Sequence, residues 1–272
     1  MTKSIPFVVV IPARMSSTRL PGKPMADIGG KPMCVRVGER AKASGALAVY
    51  IATDDVDVIA ACTKHGFAAV YTSPEHAQGT DRVAEVATRL HFDDEIIVVN
   101  VQGDEPMIAP ELICKVAETL ANKRSAAIAT ASHRILDVAD FFNPNVVKVV
   151  TDREGYAHYF SRAPIPYARD AFAADKTTLP EPFIAQRHIG IYAYRAAFLK
   201  RYAKLAPAPA EQWEALEQLR AMYHGYRIAV LEWLGETAPG VDTPGDLLRV
   251  QQLFTQNKLN ESNNEVTKPD AP

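Results

Sequence analysis

Eight short apolar runs recur along the chain, at 7–12, 47–52, 68–71, 95–101, 126–131, 146–150, 188–194 and 227–233, and amphipathic stretches separate most of them. From Phe7 to Ala13 every side chain is aliphatic, aromatic or proline, as a parallel strand covered on both faces requires. Helices are expected at 31–44, 55–65, 80–91, 109–122, 196–204, 211–223 and 244–256. Strand and helix alternating in this way predict an α/β fold, a doubly wound and mainly parallel sheet with right-handed crossovers. Ligands of such sheets gather at the carboxyl ends of the strands. That rule selects Pro12-Ala13-Arg14, Thr53-Asp54-Asp55 and Asn100-Val101-Gln102-Gly103-Asp104-Glu105-Pro106, which are expected to share one crevice.

The alternation weakens between about 155 and 190, where prolines and charges crowd SRAPIPYARD and FAADKTTLPEPFIAQR, so an insertion is expected to leave the sheet there and return at His188. Residues 1–255 then form one domain, and 256–272, with Leu259 and Val266 as the bulky aliphatics, are expected to be a disordered polar tail.

Thirty basic and thirty-two acidic side chains leave a net charge of −2, so no global field favours nucleic acid or an anionic membrane, and any anion site must be local. The amino end has no small-residue cleavage site after its apolar stretch, and no eighteen-residue apolar span follows, which reads as a cytoplasmic protein. Cys34, Cys62 and Cys114 are odd in number and set among helical patterns, as reduced thiols rather than disulfides or a zinc site.

A local anion site stands directly after the first strand. Arg14, Arg19 and Lys23 come with no acid before Asp27, with hydroxyls at Ser16, Ser17 and Thr18 and a hinge at Gly22. Cations at spacings of five and four, interleaved with hydroxyls and backbone N–H groups, suit successive oxygens of a triphosphate. A Walker loop is excluded because Pro24 follows Gly22-Lys23, and Gly22, Gly29 and Gly30 do not make a dinucleotide fingerprint. The plain alternative is a basic surface loop.

The run EIIVVNVQGDEP ends a buried strand in Gln102-Gly103-Asp104, placing a carboxylate beyond the sheet edge. Asp104 there either fixes a turn or holds Mg²⁺ against phosphate oxygens. An uncompensated Asp104 beside a triphosphate loop would repel the nucleotide, which favours a bridging cation. Asp242 in APGVDTPGDL is the candidate second ligand, and capping of the following helix is its alternative. Gly79-Thr80-Asp81-Arg82 opens a helix whose free N–H groups and arginine suit a base or phosphate. Arg162 and His188 near the insertion suit a carboxylate or sugar hydroxyls, although Tyr192 and His188 are equally packing residues of a strand. Taken locally, Glu217 and Gln218 in EQWEALEQLR read as a solvated helix face.

In order, PARMSSTRLPGKPM, GTDR, VNVQGDEP, YFSRAPIP, HIGIYAY, LEQLR and PGVDTPGDL resemble the 3-deoxy-manno-octulosonate (KDO) cytidylyltransferases, across residues 7 to about 250. The first motif alone is similar to a wider class that includes the sialic-acid cytidylyltransferases. The resemblance implies a nucleotide-diphospho-sugar transferase-like fold and the reaction CTP + KDO to CMP-KDO + diphosphate, with Mg²⁺ as cofactor, in lipopolysaccharide biosynthesis. It further implies that Arg14, Ser17, Arg19, Lys23, Thr80, Arg82 and Gln102 bind the nucleotide and that Lys23, Asp104 and Asp242 are catalytic, the two aspartates as metal ligands. Gln102, Arg162, His188, Tyr192, Glu217 and Gln218 would bind KDO, and a homodimer would form through the insertion.

Overall fold

A computed structural model describes residues 5–17, 19–76, 78–238 and 240–266, with side chains as far as residue 256; Thr18 and residues 267–272 lie outside the described residues. Among the described residues nine strands form one sheet, with β6 and β7 off its main path: β1 (Phe7–Pro12), β2 (Ala48–Thr53), β3 (Ala68–Tyr71), β4 (Ile97–Asn100), β5 (Ala126–Arg134), β6 (Lys148–Thr151), β7 (Ala157–Ser161), β8 (Gln186–Arg195) and β9 (Arg227–Glu232). The path runs β3-β2-β1-β4-β8-β5-β9. Pairing is parallel from β3 to β4 and again between β5 and β9, while β8 runs antiparallel to β4, β5 and β6. The sheet is therefore mainly parallel, as its alternation with helices requires.

Period-two alternation distributes β1 between two layers. Phe7, Val9 and Ile11 enter a core completed by α1 (Met33–Ala43), α2 (Val56–Lys64) and α4 (Pro110–Asn122). On the other face, Val8 and Val10 meet α3 (Gly79–Arg89), α7 (Ala196–Tyr202) and α9 (Gln218–Tyr223). Cys34 and Cys62 are buried free thiols whose sulfurs lie 3.7 Å apart, and Cys114 is free and partly buried.

The excursion begins earlier than its prolines suggest. Ile135, Phe141, Val146, Phe172 and Ala185 make a separate small core, around α5 (Val138–Phe142) and α6 (Arg169–Ala174). The run 146–150, expected in the main sheet, instead forms a hairpin with β7 and meets only the start of β8, at Lys148 against Arg187 and Val149 against Gln186. Local pattern cannot distinguish a hairpin strand from a core strand, because both are apolar.

Two further expectations are corrected. The helix expected at 211–223 is broken into α8 (Pro209–Glu214) and α9, with Ala215 between them at φ 49°. The break lets Glu214 accept hydrogen bonds from Ser161 Oγ (2.6 Å) and the Arg162 backbone N–H (2.8 Å), contacts that an unbroken helix face does not announce. At the carboxyl end, α10 (Pro244–Val266) is helical ten residues beyond the expected end at 256, since no glycine or proline interrupts the sequence between Gly245 and Pro269. Val250, Leu247 and Phe254 of α10 pack with Ile28, Met33 and Val241, and so fasten the segment before α10 to the loop after β1.

Candidate active site

The ends of β1 and β4 meet at one cleft, lined by Arg14, Ser17, Arg19, Lys23, Arg82, Gln102, Asp104 and Asp242, with Pro12, Ala13, Gln78 and Gly79, whereas Thr53, Asp54 and Asp55 after β2, expected to share it, are not in its lining. Local chemistry presents each of them. Gly22 adopts φ 69° and starts a short 3-10 turn over Lys23–Met25, which turns the lysine inward. Gly103 is required by close approach: a Cβ there would stand 2.5 Å from the Pro12 carbonyl oxygen, so only glycine lets the turn after β4 lie against the end of β1. Val241 N–H donates to the Asp104 carbonyl (2.8 Å), bringing the chain before α10 onto that same turn.

These constraints place Lys23 between two acids. Its ammonium donates to Asp104 Oδ2 (2.7 Å) and Asp242 Oδ1 (3.1 Å), and Arg19 reaches the same Asp242 oxygen at 3.0 Å. Burial alone lowers the Lys23 pKa, but the Asp104 and Asp242 carboxylates reverse this and raise it above the ordinary value. Two carboxylates from distant segments thus converge on one cationic centre. Arg82 is buried, its guanidinium held by Thr72 Oγ1 and by Asp54 Oδ2 (3.0 Å), so the end of β2 also supports the cleft.

Thr80, His188, Tyr192, Glu217 and Gln218 form a second group outside the lining of the cleft itself, joined to it through neighbours. Gln102 donates to Asn100 Oδ1 (3.3 Å), and Asn100 is paired in register with Tyr192, whose hydroxyl donates to Gln218 Oε1 (3.1 Å). Thr80 bonds Tyr194 (3.1 Å) through its hydroxyl and also contacts Glu217. Burial pushes the Glu217 carboxyl up to about 6 against the Thr80 hydrogen bonds, which lower it. His188 Nε2 lies 2.9 Å from Thr130 Oγ1, whose hydroxyl donates to the Ile191 carbonyl (2.7 Å), so Nε2 carries the proton. Burial between Phe160 and Tyr192 lowers its pKa to about 3, and the ring is neutral at physiological pH. Among the described residues, Asn100 Nδ2, Glu217 Oε2 and Gln218 Nε2 are buried without a hydrogen-bond partner. Orphaned donors and acceptors gathered in one place mark a surface built for a polar ligand.

Arg162 stands apart from both groups. Its guanidinium donates to the carbonyls of Glu214 (2.6 Å), Pro144 (3.0 Å) and Ala215 (3.5 Å), clasping the excursion to α8. Sequence reasoning did not single out Glu105, whose carboxyl is pushed up to about 8 by burial and then by Asp104 and Asp242, with Arg187 and Lys23 opposing. Its signal was its place beside Asp104 in QGDEP. Gln78, Glu211 and Arg220 were also missed. Gln78 Nε2 donates to Glu211 Oε1 (2.8 Å), and Arg220 donates to Gln78 Oε1 (3.2 Å) and to Glu211 (2.6 Å).

A cleft at the strand ends, with a basic loop on one side and paired acids at its mouth, is suited to holding a polyphosphate and a divalent cation together. Residues 8–228 match the family model described as cytidylyltransferase. The chain belongs to the cytidylyltransferase family. As a cytidylyltransferase it is also similar to a solved structure of CMP:2-keto-3-deoxy-manno-octonic acid synthetase complexed with CTP, with 42% identity, a TM-score of 0.84, and coverage of 93% of this chain and 99% of that one.

Proposed function

We propose that this cytidylyltransferase activates KDO, joining CTP and KDO into CMP-KDO and diphosphate and so supplying the activated sugar of lipopolysaccharide biosynthesis. The observation that carries the reading is the convergence of Asp104 and Asp242 on the Lys23 ammonium within a cleft of cations. The likeness to a KDO-activating synthetase over nearly the whole chain supports the choice of sugar.

Asp104 and Asp242 fit Mg²⁺, which takes one or two carboxylates together with phosphate oxygens and water. Held by these carboxylates, it would supply Lewis acidity that eases deprotonation of the attacking hydroxyl and screens charge at the α-phosphate. The protein's own task is alignment and charge neutralisation. Arg14, Arg19 and Lys23 bind the β- and γ-phosphates and hold the departing diphosphate, while Ser17 and the backbone of the loop add neutral donors. Arg82 fixes the nucleotide side, Thr80 acts from outside the cleft lining by holding Tyr194 and Glu217, and Gln102 stands where nucleotide and sugar meet.

On the sugar side, the unpartnered atoms of Glu217 and Gln218, with Tyr192 and neutral His188, supply donors and acceptors for KDO hydroxyls. Arg162 spends three of its guanidinium N–H groups on carbonyls, which leaves about two of the usual five for the KDO carboxylate. Among the described residues no helix is long and apolar enough to cross a membrane, and we assign the reaction to the cytoplasm.

Pyrophosphate release from CTP, KDO and Mg²⁺ tests the whole reading. Asp104→Ala is expected to abolish release while leaving the thermal melt within a few degrees of the parent, because Asp104 is partly exposed and fills no core position. Near-parental turnover by that variant, or by the parent in excess chelator, would refute it.

A further inference from the structure

Gln78 lies on the cleft wall formed by the loop after β3 and the start of α3, apart from the basic loop that faces the phosphates. Next to it, Gly79 rests close to Pro12 and Gln102, so this wall borders the floor of the cleft. A glutamine amide ordinarily turns over at little cost, offering donor and acceptor in either order. Here it is held. Its Nε2 faces the Glu211 carboxylate at 2.8 Å and its Oε1 faces the Arg220 guanidinium at 3.2 Å. Turning the amide over would set oxygen against carboxylate and NH₂ against guanidinium, losing both bonds and adding two repulsions.

The clamp is itself rigid. Arg220 binds Glu211 through Nε (2.9 and 3.1 Å) and its NH2 nitrogen (2.6 Å), stacks over the Tyr202 ring at 4.9 Å, and comes within 3.9 Å of Asp81. Glu211 additionally accepts from the Ala208 N–H (3.0 Å), and both side chains of the pair are buried. Gln78 therefore presents one fixed N–H and one fixed carbonyl lone pair, in a set order.

We infer that Gln78, oriented by Glu211 and Arg220, is the residue that selects cytosine over uracil in the nucleotide substrate. Cytosine offers an exocyclic N–H donor beside a ring nitrogen acceptor, which pair with the amide carbonyl and amide N–H. Uracil offers a carbonyl beside a ring N–H, the reverse order, so each polar atom would meet its like. The inference rests on the nucleotidyl-transfer reading of this cleft and adds the origin of its base specificity.

The test compares CTP with UTP in the full-length protein, as kcat/KM for pyrophosphate release and, separately, as binding by titration calorimetry. Gln78→Ala is expected to lower kcat/KM for CTP by about tenfold or more and leave the UTP value nearly unchanged, collapsing the preference. Glu211→Gln, whose amide can donate as well as accept, frees the clamp and is expected to improve UTP binding severalfold. Equal losses for both nucleotides in Gln78→Ala, or an unchanged preference, overturns the inference, whatever the stability of the Glu211 variant. If the parent binds CTP over UTP and Gln78→Ala loses that preference, while KDO supports no pyrophosphate release, base selection stands and the KDO reaction falls.

Discussion

Glu217 carries a direct link between protonation and stability. Burial raises its folded-state pKa to about 6 from an ordinary value of 4.5, with Thr80 hydrogen bonds opposing. Because the folded value is the higher one, its contribution is complete below pH 4.5 and is lost as pH rises through about 6. In the ionised form the cost is about 2 kcal/mol, from 1.36 kcal/mol for each unit of displacement. Glu217→Gln is accordingly expected to melt above the parent at about pH 8 and close to it at about pH 4.5, while losing kcat/KM for KDO. Calorimetric melts across that range check this, and a difference independent of pH would show that the gain has another source. A residue that destabilises the protein in its working charge state, with one oxygen left unpartnered, is what a binding site retains and a core does not.

At the scale of elements, the turn after β4 depends on Gly103. Gly103→Ala puts a methyl group 2.5 Å from the Pro12 carbonyl, backbone against side chain with nothing flexible to yield, so the turn must move. The expected result is a loss of about 1–3 kcal/mol in stability and a disproportionate loss of kcat, since Asp104 moves with it. Chemical denaturation beside steady-state kinetics measures both, and unchanged kcat would show that Asp104 tolerates displacement. This turn and the loop after β1 were legible in sequence because each is local: an apolar run, a glycine, then charge. What was not legible depends on partners far along the chain. The reversal of β8, the break at Ala215 and the early start of the excursion follow from pairing and packing, not from periodicity. Gln78 likewise carries no local signal, because its partners lie 133 and 142 positions away. Arg162 was legible as a cation but not as one already engaged by carbonyls, since its acceptors are backbone atoms that no side-chain pattern reveals.

For the whole molecule, the excursion is where a second copy is expected to bind. It has its own small core, and it exposes Leu136 (82%), Ile184 (57%) and Tyr167 (47%), large apolar side chains that a lone chain would leave wet. Sedimentation should give a dimer of the 29.8 kDa chain, and Leu136→Glu with Ile184→Glu should yield monomers that melt nearly as the parent's own fold does. A parent that sediments as a monomer at micromolar concentration would remove the assignment. The packing of α10 on Ile28 and Met33 has a different consequence, one of timing. Asp242 comes latest in sequence of the residues lining the cleft, and the helix that secures it follows later still. During synthesis the sheet and its arginines therefore emerge first, as a trap for anions that has no chemistry. Emergence of Asp242 and of the helix that secures it is what arms it, and a chain stopped before residue 241 is expected to retain CTP on a filter yet never liberate pyrophosphate.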